Sequence, residues 1–294
     1  MMWWPPLTVL VFYLAAVGEN ILMIDDTREI LETSKDQRAL VNAALTLARS
    51  ADAGDHARLV HALGSDSFLR RLDTHEQIHD LRHRTRVERV VEALVDNPSV
   101  SAHEGLISLT SSATFLKEPR RVDSLIRASA KIRPPPKTLV AFWDKYSRPD
   151  DGYTNLTVRS LVENGTPPAL ALFERKMLDS KHSDDDKIEW LHADVLPHRN
   201  DEPLLEASER LIVGTLTLTL KLQLIDAIFD YRPDEWYSEA MVYKPPDRSI
   251  ASDNARGTLR RIGEYALRNL TLSARQIKVI EAATGLDHKK LHKP

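Results

Sequence analysis

Two imidazoles and a carboxylate stand at close spacing in His75-Glu76-Gln77-Ile78-His79. On a helix, residues i and i+4 share a face, so His75 and His79 can aim at one metal ion. A zinc ion held there would make its bound water more acidic, and Glu76 would take the proton as general base. Glu76 is therefore the candidate catalytic residue, with His75 and His79 as candidate metal ligands. The flanks point elsewhere. Asp73 and Asp80 border the segment, and Arg82, His83, Arg84 and Arg86 follow it. His83 extends the histidine series to i+8, the pattern of a solvated, polar helix face.

The segment is similar to the H-E-x-x-H signature of zinc metallopeptidases, and that resemblance implies a zinc-dependent hydrolase. The extended form of the signature is not kept. Arg82 stands at its glycine position and Thr85 at its third histidine, leaving Glu88 or Glu92 as the nearest carboxylates to complete a ligand set. Motif helices of that family lie buried and uncharged beside a sheet, and no strand run precedes His75. Zinc hydrolysis is thus the alternative to a reading without chemistry.

A second cluster could bind rather than react. Tyr231, Trp236, Tyr237 and Tyr243 fall in a proline-containing stretch among Asp230, Asp234, Glu235 and Glu239. Tyrosine and tryptophan offer large contact areas at small entropic cost, so these four are the candidate binding residues for a protein or peptide partner. Their acidic neighbours favour a basic one.

Composition removes several classes. The chain has 10 glycines in 294 residues, the nearest pair being Gly257 and Gly263. Loops that cradle phosphates need closely spaced glycines to let backbone N–H groups reach the anion, so dinucleotide and P-loop enzymes are disfavoured. The nucleophile elbow G-x-S-x-G is also absent. With no cysteine, disulfides and thiolate metal sites are excluded. A net charge of −3 gives no field for nucleic acid. The strip Arg120, Arg121, Arg127, Lys131, Arg133 and Lys137 reads as a solvated helix face. Asp184-Asp185-Asp186 reads as an acidic helix start, favoured by the helix dipole. Three N-x-[ST] triplets begin at Asn155, Asn164 and Asn269, and matter only in a glycosylating compartment.

These segments must be positioned by helices. From about Arg38 to Leu272 apolar residues recur at helical spacing in short runs: Arg38–Arg49, Ala57–Leu72, Val87–Val95, Val158–Glu163, Pro168–Leu178 and Pro203–Val213. Such helices cannot bury an apolar stripe alone and must stack. Asn164-Gly165 reads as a helix end and Thr166-Pro167-Pro168 as the next beginning. Leu216 to Leu224 alternates as a strand would, yet Leu218, Leu222, Ile225 and Phe229 form a helical stripe, and helix is the reading preferred. Glu202-Pro203-Leu204-Leu205 repeats the Thr157 theme about 45 residues on, the period of two-helix repeats. Val158-Arg159 with Leu161 and Gly165, and Asn97-Pro98-Ser99-Val100 at a helix start, resemble HEAT-type repeats. That resemblance implies an all-α, irregular α-solenoid of stacked helix hairpins.

Five regions follow. Residues 1–24 hold the uncharged run Leu7–Val17, a signal peptide or membrane anchor, with a buried first helix as the other reading. Helical repeats occupy 25–133 and 137–232, parted by Pro134-Pro135-Pro136. The aromatic, proline-rich loop spans 233–254, and a helical cap 255–294. The expected function is a non-enzymatic scaffold holding a protein or peptide, without nucleic acid or cofactor. A purely structural, membrane-tethered domain is a third reading. An extracytoplasmic or membrane-anchored location is favoured over the cytoplasm.

Overall fold

Polar caps decide where the apolar runs become helices. A computed structural model of the chain describes residues 26–73, 85–149, 151–229 and 252–291. Among these the fold is all-α, with no strand. None of the described helices is long and apolar enough to cross a membrane. The chain divides into two compact units, Met1–Ser129 and Ala130–Pro294.

The first unit opens with α1 (26–33) and continues through α2 (Gln37–Arg49), α3 (Ala53–Leu63), α4 (Asp66–Asp73), α5 (Arg86–Asp96), α6 (Val100–Leu109) and α7 (Pro119–Ser129). Asp36 caps α2 by accepting from the amides of Arg38 and Ala39, and Asp52 caps α3 through Gly54. Thr85 and Glu88 form a reciprocal capping box at α5. Helices α2, α5 and α7 lie side by side in one row, α3 and α6 in another, and α4 tucks against α2, α3 and α5. Leu59, Leu63, Leu69, Leu72, Val90, Val91 and Leu94 are fully buried between them. Each such side chain contributes about 1.5–3 kcal/mol of transfer free energy.

One expected helix is two. The run Ala57–Leu72 breaks at Gly64-Ser65, where the Gly64 amide folds back to the carbonyls of Val60 and His61 and the Ser65 amide to that of Ala62. The break lets Phe68, Leu69 and Leu72 turn into the core. A further correction concerns the basic strip. Arg121 is not solvated: its side chain is 14% exposed and its guanidinium pairs with Asp73 at 3.0 Å.

The second unit comprises α8 (Lys137–Tyr146), α9 (Thr154–Asn164), α10 (Pro167–Leu178), α11 (Asp184–Trp190), α12 (Glu202–Val213), α13 (Leu218–Phe229), α14 (Asp253–Asn269), α15 (Ala274–Thr284) and α16 (His288–Leu291). The stretch with alternating leucines is thus helical, in α13. Helix α9 ends as expected on Gly165, whose φ of 65° is one a side chain resists. Helix α11 starts on its three aspartates, with Ser183 accepting the Asp186 amide at 3.1 Å. Helices α8, α10, α12 and α14 form one row, while α9, α11, α13 and α15 form the other. Helix α12 therefore corresponds to α10 rather than to α9, so the 45-residue spacing from Thr157 relates helices of different rows.

Ion pairs staple the first of these rows in a constant sense. The carboxylate comes from the earlier helix and the cation from the later one: Asp144 to Lys176 at 2.8 Å, Glu174 to Arg210 at 2.8 Å, and Glu209 to Arg261 at 2.8 Å. At the C-terminal end, α14 and α15 approach closely at Gly263. A Cβ there would meet Thr284 Cγ2 at 2.8 Å and Ile280 Cγ2 at 3.0 Å.

Candidate functional site

Three places bring chemistry-bearing groups together. The first lies inside the first unit. Asp55, fully buried, accepts from Arg28 Nε at 2.7 Å and from Ser50 Oγ at 2.6 Å. Next to it His56, also buried, has Nδ1 2.7 Å from Ser101 Oγ and Nε2 3.2 Å from Asn97 Nδ2. A serine, a histidine and an amide in line suggest an activated nucleophile. The amide orientation rules against that. Asn97 Oδ1 accepts from the Ser99 amide, while Nδ2 donates to the carbonyls of Ala48 at 2.9 Å and Ser50 at 2.7 Å. An amide nitrogen accepts no proton, so His56 Nε2 is bare and its hydrogen sits on Nδ1, as assigned from this network. His56 therefore donates to Ser101 and cannot deprotonate it. The web is structural.

The second place is a π-helical turn, Leu191–Val195, which continues α11. Such turns recur at functional sites because the wider coil redirects side chains. Here it sends Asp194 inward to Arg159 Nε at 2.9 Å, and turns His192 Nε2 to Gln223 at 3.0 Å. Burial pushes the Asp194 carboxyl up to about 6, against the opposing pull of Arg159. Arg159 responds in the other sense, its guanidinium held more firmly protonated by the bond to Asp194. The difference is one of exposure, since Asp194 is 3% exposed and Arg159 47%. The carboxylate bears the cost of lost water. The pair reads as a clasp.

The third is a cleft of about 620 Å³ among α13, α14 and α15. Ile228 and Phe229 at the end of α13 form its floor, with Leu259 and Val279 on the walls. Arg256, Arg275 and Lys278 stand around it, and among the described residues no carboxylate lines it. Helix α15 explains why it is open. Its capping box, Ser273 with Gln276, and its αL end at Gly285 define a regular helix, yet only Ile280 of its 11 residues is buried. Arg275, Lys278, Val279, Ala282 and Ala283 follow i, i+3, i+4, i+7 and i+8 spacing and so make one face, turned to the cleft. No family model, no curated protein and no solved structure matches the chain.

The candidates named from sequence fall elsewhere. His75, Glu76 and His79, and Tyr231, Trp236, Tyr237 and Tyr243, lie outside the described residues. Two neighbours of the histidine segment are described and have other tasks. Thr85 caps α5, and Glu88 Oε2 accepts the Thr85 amide at 2.7 Å. Among the described residues no group of three or more His, Asp or Glu is placed to hold a metal ion. The cleft escaped sequence reading because four separate segments build it. A signal was present, however: α15 combines strong cap residues with a thin apolar stripe.

Proposed function

We propose that each unit is a length of irregular α-solenoid built from HEAT-like hairpins, and that the chain is a non-enzymatic scaffold for a protein or peptide partner. The observation that carries this reading is the uncovered face of α15. A helix of three turns that buries one residue gains little from its own unit, and the half-buried Leu259 and Val279 with the exposed Ala282 and Ala283 gain apolar cover from a partner. The two-row arrangement supports it further, because rows of helices present grooves along their length. The aromatic stretch with Tyr231, Trp236, Tyr237 and Tyr243 joins the chain at Phe229, itself part of the cleft floor.

The test is site-specific photo-crosslinking in the native source. A photoreactive residue replaces Ala282 in the cleft, and as control Arg70 on the exposed side of α4. The expected result is one discrete adduct from position 282 and none from position 70. Identical patterns from both positions, or no adduct from either, would remove the scaffold reading. The purely structural alternative also predicts unaltered partner recovery when Trp236 and Tyr237 become alanine.

A further inference from the structure

We infer that His182 is a pH-sensitive latch on α11: neutral, it holds that helix in the second unit, and protonated, it lets the helix go. The device goes beyond the scaffold reading and stands whether or not a partner is held. It begins with a weak element. Helix α11 has 7 residues and buries only Lys187 and Trp190. A helix so short has little stability of its own and depends on what grips its ends. Trp190 grips the tail, fully buried, with its Nε1 donating to Asn155 Oδ1 at 2.8 Å. His182 grips the head. It directly precedes the Ser183 cap and is 3% exposed. Its ring meets that of Trp190 edge-on, with centroids 5.0 Å apart and planes at 72°.

This grip is conditional on charge. His182 Nε2 is buried without a hydrogen-bond partner among the described residues. A neutral ring can leave that nitrogen as a bare lone pair. An imidazolium carries a hydrogen on both nitrogens, and would bury an unanswered donor together with its charge. The charged groups that face the ring are Lys176 from α10, Asp179 from the connection, and Asp186 and Lys187 from α11. The two lysines repel an imidazolium. The two aspartates attract one, but neither bonds to Nε2, and each already serves its own turn. Asp179 Oδ1 accepts the Lys181 amide at 2.9 Å, and Asp186 Oδ2 accepts from Ser183 Oγ at 2.7 Å. Burial above all, seconded by the lysines against the pull of Asp179, holds the ring below its ordinary 6.5. The latch is therefore fully closed above about pH 6.5 and is lost as pH falls below that value, where the released ring takes the proton. Asp194, in the turn that continues α11, acts with the opposite sign, so only a local measurement isolates the latch.

Hydrogen exchange of the full chain, followed by mass spectrometry at about pH 7.5 and about pH 5 and corrected for the chemical rate, tests this. Peptides covering α11 are expected to lose about tenfold in protection at the lower pH, while α9 and α10 keep theirs. His182→Phe keeps a ring on Trp190 and cannot titrate. It should retain the neutral-pH protection and abolish the acid loss. Ring NMR of the parent chain, with the residue assigned by the loss of its signal in His182→Gln, should show His182 titrating below 6.5. Unchanged protection of α11 at the lower pH, the same acid loss in His182→Phe, or titration of His182 at or above 6.5 overturns the latch. If His182→Phe does not fold, the ring titration and the parent's exchange decide between them.

Discussion

Asn97 in the first unit and Asn164 in the second do the same local work in different company. Each ends a helix and sends its Nδ2 hydrogens onto two carbonyls two residues apart. Asn97 donates to Ala48 and Ser50; Asn164 donates to Ala130 at 2.8 Å and Ile132 at 2.9 Å. Each Oδ1 accepts from the Ser or Thr two residues on, Ser99 or Thr166. Around Asn97 the polar groups continue inward through His56, Ser101, Asp55 and Arg28. Around Asn164 they stop, and the second unit carries its charge in separate pairs, along α8, α10, α12 and α14 and in the Asp194–Arg159 clasp. One device therefore serves two strategies. The first unit depends on a network that runs on from its asparagine, the second on apolar packing with isolated ion pairs.

The sharpest way to break this comparison is to remove both amides. Asn97→Ala leaves two carbonyls without a donor and opens space beside His56 Nε2, and should cost about 3–4 kcal/mol, with Asn164→Ala nearer 2–3 kcal/mol. Urea unfolding gives the totals, and hydrogen exchange shows which unit opens. Equal losses confined to the helix ends would mean that the inner web adds nothing. Next comes Asp55→Ala, which removes the buried acceptor shared by Arg28 and Ser50, Arg28 keeping Asp52 at 3.5 Å, and should destabilise by about 2–3 kcal/mol, with little dependence on salt.

Asp194 sharpens the contrast through pH. Its folded pKa of about 6 lies above the ordinary 3.8, so the charged form is disfavoured in the fold. The stability it contributes is complete below pH 4 and falls as pH rises through about 6, by on the order of 3 kcal/mol. Asp194→Asn should flatten that fall in thermal melts taken between about pH 4 and 7. An unchanged slope would show that the carboxylate is better solvated than its burial implies. The smallest effect is expected from Arg210→Gln. It breaks one exposed pair, for which about 0.2–1 kcal/mol is typical, and about 1 M salt should erase the difference from the parent chain.

Much of the helix content was legible because local signals settle it. Asn164-Gly165-Thr166-Pro167, Ser183 before three aspartates, and Asn97-Pro98-Ser99 each mark a boundary by chemistry that acts within a few residues. The break at Gly64 was not legible, since the apolar pattern runs across it and only packing against α2 and α5 decides the turn. Nor was the π-helical turn, which inserts a residue without any marker. The role of the two asparagines was hidden for a further reason. Asn-x-Ser/Thr recurs at both positions, but its partners are carbonyls about 30 to 50 residues upstream, beyond the reach of local pattern.

The burial of Asn164 also bears on how the protein can be made. Its N-G-T triplet has the form that oligosaccharyltransferases accept, yet the residue is 1% exposed and the nitrogen a sugar would occupy gives both hydrogens to the backbone. A glycan added to the nascent chain would therefore wedge Ala130 and Ile132 away from α9. Material secreted from a eukaryotic host with sugar at that nitrogen should be cut rapidly by trypsin, while bacterially produced material resists.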